Sequence, residues 1–146
     1  MTAGGWHGEP YTIAAALYGF GDLVQSRGGD PVRLLERAGI DAEALTDPDM
    51  LISYPRHGML MELAAGELDA PAFGLELALS IPPHFPNVGP VVFIAQLAST
   101  LREWIEQGSR YWRAYTNGYV LQLVDDGAPD HVSLRFWQSP LIAPPR

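Results

Sequence analysis

The sequence predicts an α+β fold, predominantly helical, in which about six helices pack on a small antiparallel β-sheet with at least one C-terminal hairpin. Three observations predict it. Apolar residues recur at helical spacing through most of the chain up to residue 117. Prolines and N-cap residues cut that stretch into separate segments. Beyond Gly118 the apolar period changes from about 3.6 to 2. Residues 1–9 hold Gly4, Gly5 and Gly8 without periodicity and read as a flexible lead-in. Residues 10–138 read as a single domain, and 139–146 as a Pro-rich tail.

Taken in order, Ile13, Leu17, Phe20 and Val24 form one face of a first helix that Gly28-Gly29 ends. Asp30 supplies an N-cap acceptor before Pro31, and Val32, Leu34, Leu35 and Ala38 make a second helix stopped by Gly39. Asp41 caps a short turn carrying Leu45, and after Asp47-Pro48-Asp49 the run Met50-Leu51-Ile52 is extended. Ser53 and Pro55 start a helix striped by Leu60, Leu63, Ala64 and Leu68. Asp69-Ala70-Pro71 opens the next, through Phe73, Leu77 and Ile81, which Pro82-Pro83 stops. A loop at 84–89 leads to an apolar helix from Pro90 through Leu97. Thr100 and Glu103 form a capping box, in which hydroxyl and carboxylate each satisfy an orphan backbone donor. Leu101, Trp104, Ile105, Gly108, Tyr111, Trp112 and Tyr115 then follow the helical template to Asn117-Gly118. Residues 119–124 and 131–137 read as two strands, with Val132, Leu134 and Phe136 on one face. Such a hairpin is marginal alone and needs helices against it.

Composition narrows the function. Seventeen acidic against nine basic side chains give a net charge of −8, which repels a phosphate backbone and makes these residues a poor DNA-binding surface. All nine basic residues are arginine. With no cysteine, disulfides, thiolate metal sites, iron-sulfur clusters and cysteine nucleophiles are excluded. The N-terminus lacks the basic and apolar regions of a signal peptide, and no apolar run reaches transmembrane length, so a cytoplasmic location without membrane contact is expected.

No chemistry-bearing motif stands out. Gly19-Phe20-Gly21 lies inside a helical pattern rather than between strand and helix, so it is not read as a phosphate cradle. Neither a serine nucleophile elbow nor a paired-histidine zinc motif is present. His7, His57, His84 and His131 have no spacing that singles out a partner, and Asp47, Asp49, Asp125 and Asp126 suit turn and cap acceptors. No enzyme activity, metal or cofactor is therefore expected. The densest feature is the aromatic stripe Trp104, Tyr111, Trp112 and Tyr115. Core packing is the plain reading, because large rings at helical spacing bury much area. The same rings also suit a pocket wall for a small apolar or amphipathic ligand, with Arg56, His57 or Arg110 orienting an anionic group. A third reading is a partner surface, since Trp, Tyr and Arg often anchor interfaces.

Taken together, DPVRLLERAGID at 30–41, the turn at 47–49, APAFGLELAL at 70–79 and STLREWIEQGSRYWRAYTNG at 99–118 before a strand pair form a recognisable order. Over residues 22–136 this resembles the N-terminal, arabinose-binding-like regulatory domain of AraC/XylS transcription regulators. The matching positions are Leu35, Ala38, Gly39, Asp47, Pro48, Phe73, Gly74, Leu75, Leu101, Arg102, Glu103, Tyr111 and Gly118. Trp104 and Ile105 depart from the small or aliphatic pair that commonly follows the "LRE" of the family. The resemblance implies effector sensing and dimerisation. It also implies further sheet and a C-terminal helix-turn-helix half that this stretch lacks, so the chain is expected to be truncated before its DNA-binding part.

The expected function is thus a domain that binds a small, apolar or aromatic effector, forms a homodimer, and controls an attached DNA-binding domain absent here. The expected ligand residues are Arg56, His57, Phe93, Trp104, Tyr111, Trp112 and Tyr115. Two alternatives accompany it: a stand-alone partner forming mixed dimers with full-length regulators, and a haem or small-molecule sensor with His57 or His84 as axial ligand.

Overall fold

A computed structural model describes residues 9–82, 97–124 and 133–138. The chain is α+β, with five α-helices and two separate two-stranded antiparallel sheets among these residues. Strand β1 (Tyr11–Ile13) leads into a 3-10 turn at Ala14–Leu17 and then α1 (Phe20–Ser26). Helix α2 (Pro31–Ala38) precedes a second 3-10 turn at Ala42–Leu45, strand β2 (Leu51–Ser53) and the long α3 (Tyr54–Glu67). Helix α4 (Phe73–Ser80) closes the first half. Helix α5 (Leu101–Tyr111), a 3-10 turn at Trp112–Ala114, and strands β3 (Tyr119–Val124) and β4 (Ser133–Gln138) form the second.

The expected first helix is three elements rather than one. β-Branched Thr12 and Ile13 pair with β2, Tyr11 opposite Ser53 and Ile13 opposite Leu51. Gly19, at φ 74°, then holds a left-handed turn that most side chains disfavour, so the helix starts only at Phe20. Helix α2 forms as its termini dictate. The Asp30 carboxylate accepts from the Val32 and Arg33 amides, and Gly39, at φ 71°, ends it with the Ile40 amide donating back to the Leu35 carbonyl. Helix α4 starts at Phe73, later than the Asp69-Ala70-Pro71 signal implies. Asp69 instead adopts φ 50° beyond the end of α3, and the Ala70 amide returns to the Ala65 carbonyl. The expected helix at Pro90–Leu97 lies almost wholly outside the described residues.

At the start of α5 the Glu103 amide donates to Thr100 Oγ1 at 3.1 Å, while the Glu103 carboxylate accepts from the Ser99 amide at 2.9 Å. The carboxylate thus reaches one residue further back than the usual capping box. α5 ends at Tyr111, before the Asn117-Gly118 stop, because the chain tightens into a 3-10 turn and then turns extended to join β1. β3 and β4 pair in register from Tyr119–Gln138 to Val124–Ser133. Of the residues expected to rest on a helix, Leu134 and Phe136 are more than half exposed, and Val132 lies outside the described residues.

The core sits between α1, α2, α3 and α4. Phe20, Val24, Leu34, Leu35, Leu60, Ala64 and Phe73 are fully buried, and the Phe20 and Phe73 rings meet edge to face at 5.8 Å. The second half is tied to it through β1. The Ile13 amide donates to the Tyr115 carbonyl at 2.9 Å and the Asn117 amide to the Tyr11 carbonyl at 3.1 Å. Thr12 bridges Thr116, so residues 115–117 flank β1 on the edge opposite β2.

Candidate functional site

Arg56 and His57 enter the fold at the first turn of α3, where Ser53 Oγ accepts from the Arg56 amide and Pro55 suits the first turn. The Arg56 guanidinium donates to the Gly39 carbonyl at the end of α2, where a cation also complements the helix dipole. His57 turns inward and stacks on Tyr54, ring centroids 6.3 Å apart. Burial lowers the His57 pKa, while a hydrogen bond with the Ala16 backbone works the other way, and its buried Nε2 has no hydrogen-bond partner among the described residues. Burial also raises the Tyr54 phenol.

From Tyr54 an aromatic row runs into the hairpin. Its ring lies 5.9 Å from Tyr119, which lies 5.2 Å from Phe136. Gly118 makes this approach possible, because a Cβ there would stand 2.2 Å from Tyr54 Cγ. Sequence reasoning missed this row. Its members come from α3, β3 and β4, and only the glycine directly before a strand signalled a close approach.

The remaining expected ligand residues lie on α5 and beyond it. Trp104 and Tyr111 are two turns apart on α5 and are 44% and 49% exposed, whereas Ile105 is the buried contact of that helix. Tyr115 is half-buried, its carbonyl engaged with β1. The backbone at Trp112 is a 3-10 turn, while its side chain and the whole of Phe93 lie outside the described residues. Arg56 and His57 are therefore neighbours on α3, and Trp104 and Tyr111 share a helix surface. The two groups meet the rest of the fold through different elements.

Two clefts flank α1, and sequence reasoning identified neither. One, of about 450 Å3, is lined by residues of the first two 3-10 turns and the start of α2, including Leu17, Val32, Leu45 and Thr46. The other, of about 460 Å3, is lined by Leu23, Ser26, Ser80 and Pro82. Tyr18, Gly19 and Asp22 line both. Among the described residues no three His, Asp or Glu side chains come together as a metal-ligand set, and no helix is long and apolar enough to cross a membrane.

Comparison with known proteins gives a consistent result. Residues 28–146 match the arabinose-binding domain of AraC transcription regulators, an N-terminal domain. The HTH-type transcriptional regulator VirS of Mycobacterium tuberculosis is 33% identical over 127 residues, in strains CDC 1551 / Oshkosh and ATCC 25618 / H37Rv alike. That similarity takes in 84% of this chain but only 35% of the length of VirS. The chain belongs to the family of N-terminal arabinose-binding domains of AraC transcription regulators.

Proposed function

We propose that the chain is the effector-sensing and dimerisation domain of an AraC-type regulator, in which a small apolar or aromatic ligand controls an attached helix-turn-helix domain. The observation that carries this reading is the family match across residues 28–146. The net charge of −8 supports it, since DNA contact then falls to another domain. Its place of work is the cytoplasm, where such a regulator meets DNA.

The exposed rings of α5 support the choice of ligand. Trp104 and Tyr111 offer apolar faces with polar tips, and Phe93, Trp112 and Tyr115 are proposed to complete the wall, with Arg56 and His57 proposed to orient an anionic group of the ligand. A ligand held there would bear on residues 115–117, which hydrogen-bond β1, and so on the packing of one half against the other. It would shift the attached domain only as far as its affinity differs between the two arrangements.

The test is a chimaera in which this chain replaces the matching third of VirS, with a promoter reporter as readout. Compounds that quench Trp fluorescence in the isolated chain should alter reporter output, and Trp104→Ala should abolish both effects. A chimaera that binds its promoter yet ignores every compound bound by the domain would overturn the reading.

A further inference from the structure

Helices α1 and α4 approach closely where the first begins and the second ends. A Cβ on Gly19 would stand 3.1 Å from Ser80 Oγ. The Phe20–Phe73 ring contact and the Arg27–Glu76 ion pair brace the same two helices on either side of a cleft. Its described lining is Tyr18, Gly19, Asp22, Leu23, Ser26, Ser80 and Pro82.

Beside the Tyr18 phenol, three polar groups of that lining share one character. Ser26 Oγ donates its proton to the Leu23 carbonyl and Ser80 Oγ donates its proton to the Leu77 carbonyl, both at 2.7 Å. A hydroxyl has one proton and two lone pairs, so both oxygens are left as acceptors. Asp22 adds a carboxylate, one turn before Ser26 on α1, and it takes part in none of the ion pairs Arg27–Glu76, Arg37–Glu67 and Arg102–Glu106. Ser80 is the last residue of α4, and a helix C-terminus carries partial negative charge. An acceptor-rich, negatively polarised cleft complements a compact donor-rich cation.

We propose that the cleft between α1 and α4 binds a small organic ammonium group, with Asp22 as counter-ion and the Ser26 and Ser80 hydroxyl oxygens as acceptors. Leu23 and Pro82 give the apolar stem of such a ligand a surface to lie on. This site shares no residue with the aromatic face of α5, and it goes beyond the effector reading by adding a second ligand of opposite chemical character.

The isolated chain, 15N-labelled, would be titrated with n-butylammonium, using n-butanol and butyrate as uncharged and anionic controls. Saturable amide shifts confined to residues 18–26 and 78–81 are expected with butylammonium alone. Asp22→Asn should weaken binding at least about tenfold, the usual worth of a hydrogen bond to a charged group. Ser26→Ala provides a second variant. Ser26 is exposed at the end of α1, so the helix should keep its circular dichroism. Loss of its acceptor oxygen from the cleft lining should weaken binding. Absence of saturable shifts, equal shifts with butanol, or unchanged affinity in folded Asp22→Asn would each overturn the proposal. None of these readouts uses the reporter, so they stand or fall apart from the effector reading.

Discussion

At the scale of single residues, His57 ties stability to pH. Burial lowers the pKa of its imidazole in the folded state, below the ordinary value of 6.5 that it regains on unfolding. As pH falls through 6.5 the unfolded chain takes up a proton that the folded chain resists, so stability is lost on acidification and restored above that range. Thermal unfolding should therefore occur at lower temperature at pH 5 than at pH 7.5. In His57→Phe, which keeps a ring against Tyr54 without a titratable nitrogen, that difference should shrink. Gly118 makes a different demand. Gly118→Ala should cost about 1–3 kcal/mol, because its methyl must displace the Tyr54 ring. Tyr54→Leu in the same chain should recover part of the loss, and chemical unfolding of the two single variants and the double variant measures that coupling.

Among the elements, those whose ends carry their own chemistry were legible in sequence. Asp30 and Gly39 bound α2, Ser53 and Pro55 start α3, and Thr100 with Glu103 starts α5, because the Asp30, Ser53, Thr100 and Glu103 side chains accept from nearby amides, Pro55 has no amide proton to satisfy and Gly39 takes the left-handed φ that ends α2. Where the partner is remote, local pattern misled. Ile13, Leu17, Phe20 and Val24 keep helical spacing, yet Ile13 belongs to a strand because β2, some forty residues on, pairs with it on one side and the Tyr115 carbonyl accepts from its amide on the other. The same holds at the end of α5, where the aromatic period runs on past Tyr111 while the backbone leaves the helix to reach β1. Thr116 is central to that junction. Its hydroxyl donates to the Tyr11 carbonyl at 2.7 Å and accepts from the Gly118 amide at 3.1 Å, and the residue is 2% exposed. Thr116→Val keeps the shape, takes the acceptor from the Gly118 amide and leaves the Tyr11 carbonyl with the Asn117 amide alone, at a cost of about 1–3 kcal/mol. Hydrogen exchange should then accelerate at Ile13 and Asn117, whose amides carry the bridge, while amides of α2 keep their protection.

In the whole molecule, apolar surface is unevenly spread. The first half buries Phe20, Leu34, Leu35, Leu60 and Phe73 between four helices while Met59, Leu75 and Leu79 stay exposed, and in the second half Leu101, Trp104, Tyr111, Leu134, Phe136 and Trp137 are all substantially exposed. Sequence patterning marked these positions as apolar, but it could not say which face would find a partner, since one periodicity serves a core, a pocket or an interface. β4 pairs only with β3 among the described residues, which leaves backbone donors and acceptors along its far edge. An apolar strand with an open edge favours pairing with a second copy, and a net charge of −8 on each copy opposes it. Because salt screens that repulsion and leaves apolar burial intact, association should strengthen with ionic strength. Sedimentation equilibrium is expected to show a concentration-dependent dimer that tightens as sodium chloride is raised. Leu134→Glu, at a side chain 52% exposed, should shift the equilibrium to monomer without lowering the unfolding temperature. A chain that stays monomeric at every concentration and salt level would show that this face serves the ligand or the attached domain and not a second copy.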